Sequence, residues 1–563
     1  MNVKPQKWLA GLLAVAIAAT PLTSFAEEAE ETWDGSADTS WYNPDDPKDS
    51  YTLTTAEQLA GLAALVNGDI RFADTTIYLG CDMDVSGHEW ISIGSGANTP
   101  AKAFCGTFDG QGHVISGLYS HEDYISADPN KTEHNTIRTG LFGAVYEGTI
   151  QNLGVVEADI AISEKDVSTY GMGILVDWFT NSTMRNCFST GRITGGSYIE
   201  KYIGGLIGFA NGDIVIEGCY SQAVITGRYS NSGDYYSNAL DYWDSLGGIL
   251  GASYTGTAAI TDCWFDGKIV VESIQAPVGG IVGYAEGAVV ENCMVATTAL
   301  GVDPTETGNT CWIGYLVDVD AQNCYWPDDD TYPVSVANEE SGNSAGTAVE
   351  DFNDPAVLAG LQAHAQEGIT WTAGIRHPAL DWDLRNIPAD YASVDAALDL
   401  MPDDLSLYTD GTVAALEELI QQLDRQMSRL EQDAVSAMAD AIRKAIDALE
   451  YKGADYTAVD AAIERANALN AADYTNFAGV TQAIQAVVRG KAITEQAAVD
   501  AMAKAIEEAL AALEKKPAVS QPDDTTNPST GGDYIPAPWL ALLCACAAGA
   551  ICARSFTKKG ARP

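Results

Sequence analysis

A four-residue phrase constrains this chain more than any other feature. Gly-apolar-apolar-Gly recurs as Gly140-Leu141-Phe142-Gly143, Gly205-Leu206-Ile207-Gly208, Gly248-Ile249-Leu250-Gly251 and Gly280-Ile281-Val282-Gly283, with weaker copies at 173–176 and 314–317. About a dozen residues after most copies stands an apolar position between polar ones: Leu153, Cys187, Cys219, Cys263, Cys293 and Cys324, separated by 34, 32, 44, 30 and 31 residues. The unit is therefore about 30 residues long, once stretched by an insertion. One such unit cannot bury its apolar face alone, whereas coils stacked about 4.8 Å apart share a core and all their ladder hydrogen bonds. The predicted class is mainly β, a right-handed parallel β-helix (β-solenoid), its hand taken from the general crossover rule. The cysteines form an internal row, kept reduced because parallel side chains hold their Cβ atoms about 4.8 Å apart, beyond disulfide reach. The glycines mark corners where no Cβ fits or φ is positive.

Gly204 to Gly227 with Cys219-Tyr220, and Asn186-Cys187-Phe188 with Thr190-Gly191, resemble the GLUG motif of surface proteins and of some immunoglobulin A peptidases. Phe104 to Leu118 is similar to the segments that open such regions. The resemblance implies a solenoid with end caps over 51–388, after an N-terminal segment at 27–50. Thr54 and Glu57 have capping-box spacing ahead of an apolar-periodic run from Leu59 to Val66, which predicts a helix. Val357 to Gln366 reads as a second helix, and Trp371 to Trp382 as the extended segment with which GLUG regions finish.

From Tyr391 the period becomes helical. Val435, Met438, Ile442, Ala445 and Leu449 are echoed 64 residues later by Val499, Met502, Ile506, Ala509 and Leu513. Two tandem modules, 389–452 and 453–516, are each long enough for a small all-α three-helix bundle. They resemble FIVAR domains, which implies spacers or ligand-binding modules.

The two ends read as export and anchoring signals. Lys4 and Lys7 precede an apolar run and the triplet Ser24-Phe25-Ala26, predicting a signal peptide over 1–26. At the other end a linker (517–526) leads to Asn527-Pro528-Ser529-Thr530-Gly531, an apolar span from Tyr534 to Cys552, and a basic tail ending in Arg562. The order over 527–563 resembles a Gram-positive cell-wall sorting signal, which implies sortase and peptidoglycan as partners, cleavage between Thr530 and Gly531, and membrane contact through the span before sorting. Asn527 stands where the common signal has Leu.

A formal charge of −48 argues against nucleic acid and anionic lipid as partners. A zinc peptidase needs two histidines four apart on a helix. Ser92 and Ile125 stand where the second histidine would follow His88-Glu89 and His121-Glu122. No phosphate loop, nucleophile elbow or Cys/His metal spacing is present, and no cofactor is expected. Asp82 with Asp84, or Asp109 with His113, could serve a glycan-active enzyme, although Asp109 between Phe108 and Gly110 reads better as a turn residue. Pro327-Asp328-Asp329-Asp330 reads as a solvated acidic loop rather than a calcium site. The insertion between Gly227 and Gly247 places Tyr229, Tyr235, Tyr236, Tyr242 and Trp243 among Ser, Asn and Asp. These rings either meet a ligand or fold back on the solenoid wall. The sequence thus reads as a non-enzymatic, wall-anchored, adhesin-like display protein whose solenoid head binds a glycan or a protein. The alternative is a surface polysaccharide lyase or glycoside hydrolase on the same scaffold.

Overall fold

The computed structural model describes residues 33–96, 100–121, 138–162, 171–195, 202–227, 245–271, 277–297, 300, 310–317, 320–329, 332, 335–336 and 345–517. It divides into two compact units, one of Met1–Asp403 with Asp410–Leu449, the other of Asp404–Thr409 with Glu450–Pro563.

The first unit is mainly β. Each coil supplies short strands to parallel ladders, for example Val176–Thr180, Thr183–Arg185 and Phe188–Gly195, which pair in parallel with Ile207–Asn211, Ile214–Glu217, and Tyr220–Ser221 plus Val224–Gly227 of the next coil. The following coil repeats this with Leu250–Ser253, Ala258–Thr261 and Lys268–Val271. This is the stacking of a β-solenoid, with long parallel sheets where the repeat predicted them.

Inward-facing rows fill the centre. Ile150, Met184, Ile216, Ile260 and Val290 are fully buried, as are Cys187, Cys219, Cys263 and Cys293. All four cysteines are free thiols. Burial among aliphatic neighbours pushes the Cys187 and Cys263 thiols upward in pKa, so they pack as small apolar groups.

Left-handed backbone belongs to the residue before each of these cysteines and before Leu153, not to the Gly-apolar-apolar-Gly phrase. Asn152, Asn186, Gly218, Asp262, Asn292 and Asn323 all lie at φ between 50° and 60°. Asn and Gly tolerate that region best, and the amides join neighbouring coils, Asn186 Nδ2 donating to Asn152 Oδ1 at 3.1 Å. The glycines that open the phrase are required by close approach. A Cβ on Gly205 or Gly248 would overlap the carbonyl oxygen of Gly248 or Gly280 in the next coil.

One coil breaks the phrase. Pairing of Val176 with both Phe142 and Ile207 sets Asp177 level with Gly143 and Gly208. Its carboxylate is fully buried and accepts hydrogen bonds from Gly140 N at 3.0 Å, Gly173 N at 3.1 Å and Thr139 Oγ1 at 3.1 Å. Burial nevertheless pushes its pKa up to about 6, despite nearby Arg138. The folded state then holds this proton more tightly than the unfolded chain, whose Asp titrates near 3.8. The contribution of Asp177 therefore falls as pH rises from about 4 to about 6 and stays low above that window. Melting temperatures of wild type and Asp177→Asn across this range should show that component in wild type alone; parallel curves would refute it.

Helix α1 (Ala56–Asn67) forms where the apolar period placed it, one residue out of register with the predicted cap. Thr55, in extended conformation, is the N-cap and accepts from Gln58 N at 3.3 Å, while Gln58 Oε1 takes Thr54 N at 2.8 Å. Trp33, in the segment placed before the solenoid, is buried in the same core and lies 5.7 Å from Trp90.

Helix α2 (Pro355–His364) starts on the Asp354 cap with Pro355 in its first turn. The stretch after it is a two-stranded antiparallel ladder rather than one extended segment, pairing Trp371 with Leu380 and Thr372 with Ala379. Together they make a strap along the solenoid flank.

Beyond the strap, α3 (Ala392–Leu398) and α4 (Asp410–Gln421) both pack on α5 (Gln432–Asp447), whose buried stripe is Val435, Ala439 and Ile442. In the second unit α6 (Thr457–Asn467) and α7 (Ala478–Gln485) pack on α8 (Gln496–Ala511) through Val499, Ala503 and Ile506. Met438, Ala445, Met502 and Ala509 of the predicted stripes are half-buried. The internal repeat extends to side chains. Tyr391 Oη donates to Asp424 O at 2.7 Å beneath Arg425, and Tyr456 Oη to Val488 O at 2.8 Å beneath Arg489.

Candidate functional site: a groove on the solenoid flank

Strand alternation turns each row cysteine inward and the next residue outward. Parallel register therefore stacks Gly154, Phe188, Tyr220, Trp264, Met294 and Tyr325 in one outward row. Phe188 and Tyr220 lie 4.9 Å apart, and Tyr220 and Trp264 4.1 Å apart with planes 5° from parallel. Such a row would be costly to leave in water.

The strap covers most of it. Val357, Leu361, Trp371 and Leu380 pack on the row, and Tyr220, Trp264 and Met294 are fully buried. Carboxylates hold the strap in place. Asp262 accepts from Trp371 Nε1 at 2.8 Å, Gln366 N at 3.0 Å and Asn292 Nδ2 at 2.5 Å, and burial raises its pKa. Asp266 meets both Arg376 and His377, the latter at 3.5 Å. Asp383, also raised by burial, accepts from Tyr220 Oη at 2.9 Å and Asn386 Nδ2 at 2.7 Å.

At Phe188 the cover ends. The next position in the row is Gly154, against whose bare Cα the Phe188 ring and Val114 lie, and beside them opens a groove of about 550 Å³. Phe188, Val114 and Leu153 line it from the solenoid, together with Gln111, Asn152 and Asp82; the strap contributes Trp382, Leu384 and Arg385. Trp382 lies 5.8 Å from Tyr220 and 6.2 Å from Phe188. The Arg385 guanidinium sits 5.4 Å above the Phe188 ring. Leu384 and Leu430 at the groove are 45% and 53% exposed, large for apolar side chains.

The structure rearranges the predicted carboxylate pairs. His113 meets Asp82, not Asp109, with Nδ1 3.0 Å from Oδ1, and Asp82 also accepts from Val114 N at 3.0 Å. Asp84 accepts from Ser86 N in a local turn. Asp109 accepts from Gln111 N, Gln151 Nε2 and Asn152 Nδ2, and these bonds hold its carboxyl below the usual range against the opposing effect of burial; it is the last residue of the strand Thr107–Asp109 rather than a turn residue. Glu89 accepts from the His121 backbone N–H, and His121 faces Asp159, which Arg192 grips at 2.7 and 2.5 Å. Among the described residues no cluster of three or more His, Cys, Asp or Glu is arranged to hold a metal.

Tyr229, Tyr235, Tyr236, Tyr242 and Trp243 lie outside the described residues, as do Asp330, the segment 1–26, and Thr530 and Gly531 with the span and tail that follow. Among the described residues no helix is long and apolar enough to cross a membrane. The groove residues Phe188, Trp382 and Arg385 were not singled out from the sequence. The available signal was the aromatic or apolar residue after each row cysteine.

No protein-family model matches the chain. It is 30% identical over 229 residues to halomucin of Haloquadratum walsbyi, a match spanning 38% of this chain and 2% of halomucin. Among solved structures it is similar to a Bacteroides ovatus protein provisionally assigned as an immunoglobulin A1 protease, with 18% identity and a TM-score of 0.40 over 59% of this chain and 93% of that one.

Proposed function

We propose that this chain is a secreted, cell-surface display protein whose solenoid head is adhesin-like and binds a glycan or a protein. The observation that carries this reading is the flank groove. It interrupts a covered aromatic row with an open, mixed polar and apolar cleft, the kind of surface that binding sites use. Export by residues 1–26 and wall attachment through Thr530 are supported by the order of signal, pentapeptide, span and basic tail. In this reading the modules 389–452 and 453–516 are a FIVAR-like stalk.

A glycan and host-protein binding screen of the full chain tests the head, with two variants that separate the candidate surfaces. Trp382→Ala alters the groove; joint Tyr235, Tyr236 and Trp243→Ala alters the 227–247 insertion. A ligand lost with Trp382→Ala places binding in the groove, whereas loss only with the triple variant moves it to the insertion. No ligand at all would reject the binding function. Wall linkage predicts Thr530 joined to a peptidoglycan peptide in muramidase-released protein; recovery only in detergent with the tail intact would reject it. The second reading, a glycan-active enzyme, is favoured by Asp82 with His113 beside the groove. It predicts new reducing ends from a bound polysaccharide, lost in Asp82→Asn.

A further inference from the structure

We infer that the flank groove selects a saccharide bearing a ring carboxylate, and that Arg385 is the residue that reads it. The inference rests on the groove being a binding site and adds the chemical class of its ligand.

Arg385 is half-buried, with its guanidinium over Phe188. This chain has 78 acidic residues against 30 Lys and Arg, so carboxylates are plentiful around its arginines. Arg185, Arg192 and Arg376, on the same solenoid and strap, pair with Glu217, Asp159 and Asp266. Among the described residues Arg385 has no such partner. Asp383, two positions earlier, spends its oxygens on Tyr220, Asn386 and the Arg385 backbone N–H at 3.3 Å. Across the groove Asp82 Oδ1 is engaged by His113 and Val114 N. The guanidinium fork is thus left for a ligand, and its planar donors match a carboxylate in bidentate fashion.

Trp382 lines the same wall of the groove with an aromatic ring against which the C–H face of a sugar can pack, and the amide of Gln111 stands across from it for hydroxyls. An extended peptide would look instead for free main-chain groups. Here Gly154 N already donates to His113 O and Gly112 N to Asn152 O. A polyphosphate would meet one arginine within a field of net charge −48. One carboxylate per ring suits one arginine.

Two sources share this chemistry, a uronate chain and a terminal sialic acid. Calorimetric titration of the full chain with tetragalacturonate, its methyl ester, 3′-sialyllactose and lactose separates them. An acidic saccharide should bind about tenfold or more tightly than its neutral counterpart, and the arm that binds identifies the source. Arg385→Gln should abolish that preference and Arg385→Lys keep part of it, with melting unchanged. Equal binding of acid and neutral forms, or a preference that survives Arg385→Gln, overturns the carboxylate inference and leaves the groove intact. Silence in all four titrations, with a protein ligand that depends on Trp382, overturns the saccharide class alone. A ligand indifferent to Trp382→Ala removes the groove and the inference together.

Discussion

Asp262→Ala should release the strap from the solenoid flank and cost about 3 kcal/mol or more of stability. The substitution leaves Trp371 Nε1 and Gln366 N without their acceptor in a buried site, while Asn292 Nδ2 keeps only the Leu361 carbonyl. Each orphaned donor costs on the order of 1 to 3 kcal/mol, more when its lost partner was charged. Alanine also fits poorly at φ 53°, a conformation that Asn and Asp tolerate better. Asp262→Asn should therefore be milder, since it restores the residue found at 186, 292 and 323 and keeps one acceptor oxygen. Limited proteolysis should cut the strap between His364 and Ala379 in the alanine variant and spare wild type. An alanine variant that melts like wild type with a protected strap would show that apolar packing alone holds it.

Gly248→Ala should be severely damaging for a single added methyl. The added Cβ would overlap the Gly280 carbonyl oxygen and the Phe265 ring. Neither can yield easily: Gly280 N donates to Trp312 O at 2.9 Å, Gly248 N to Gly279 O at 3.0 Å, and Phe265 is fully buried. Overpacking a core costs about 1 to 3 kcal/mol when side chains adjust, and here backbone must move, so about 4 kcal/mol or failure to fold is expected. Gly411→Ala is the control. That glycine lies in α4 with open space where its Cβ would go, and the change should stabilise by roughly 0.5 to 1 kcal/mol. Similar melting shifts in the two variants would refute close coil approach as the reason for the phrase.

What was legible in the sequence was what repeats. The glycine phrase and the row cysteine are copied several times and the helical stripe twice, so period alone identifies inward positions. The strap is a single copy whose partners lie far away in the chain: Trp371 meets Asp262 across 109 residues and Asp383 meets Tyr220 across 163. No spacing rule reaches that distance. The same limit separated Asp82 from His113, which meet only because neighbouring coils stack. The Asn positions were legible as part of a motif, but not as left-handed turns, because an Asn before a cysteine serves equally well in extended backbone. The groove needed two separate facts, an outward aromatic row and a strap that stops at Phe188, and only the first has a sequence signature.

The strap runs from Tyr325 back toward Phe188, against the direction in which the coils advance, and this has a mechanical meaning. A pull arriving through Ala389 reaches the strap at its Asn386 and Asp383 attachments first, then at Asp266, then at Asp262, before it loads the last coil. Under such a load these attachments are expected to fail one after another, as in peeling, before the ladders of the solenoid open. If the chain is tethered at its C-terminal side as proposed, the strap would act as a release that lengthens the connection while the coils stay folded.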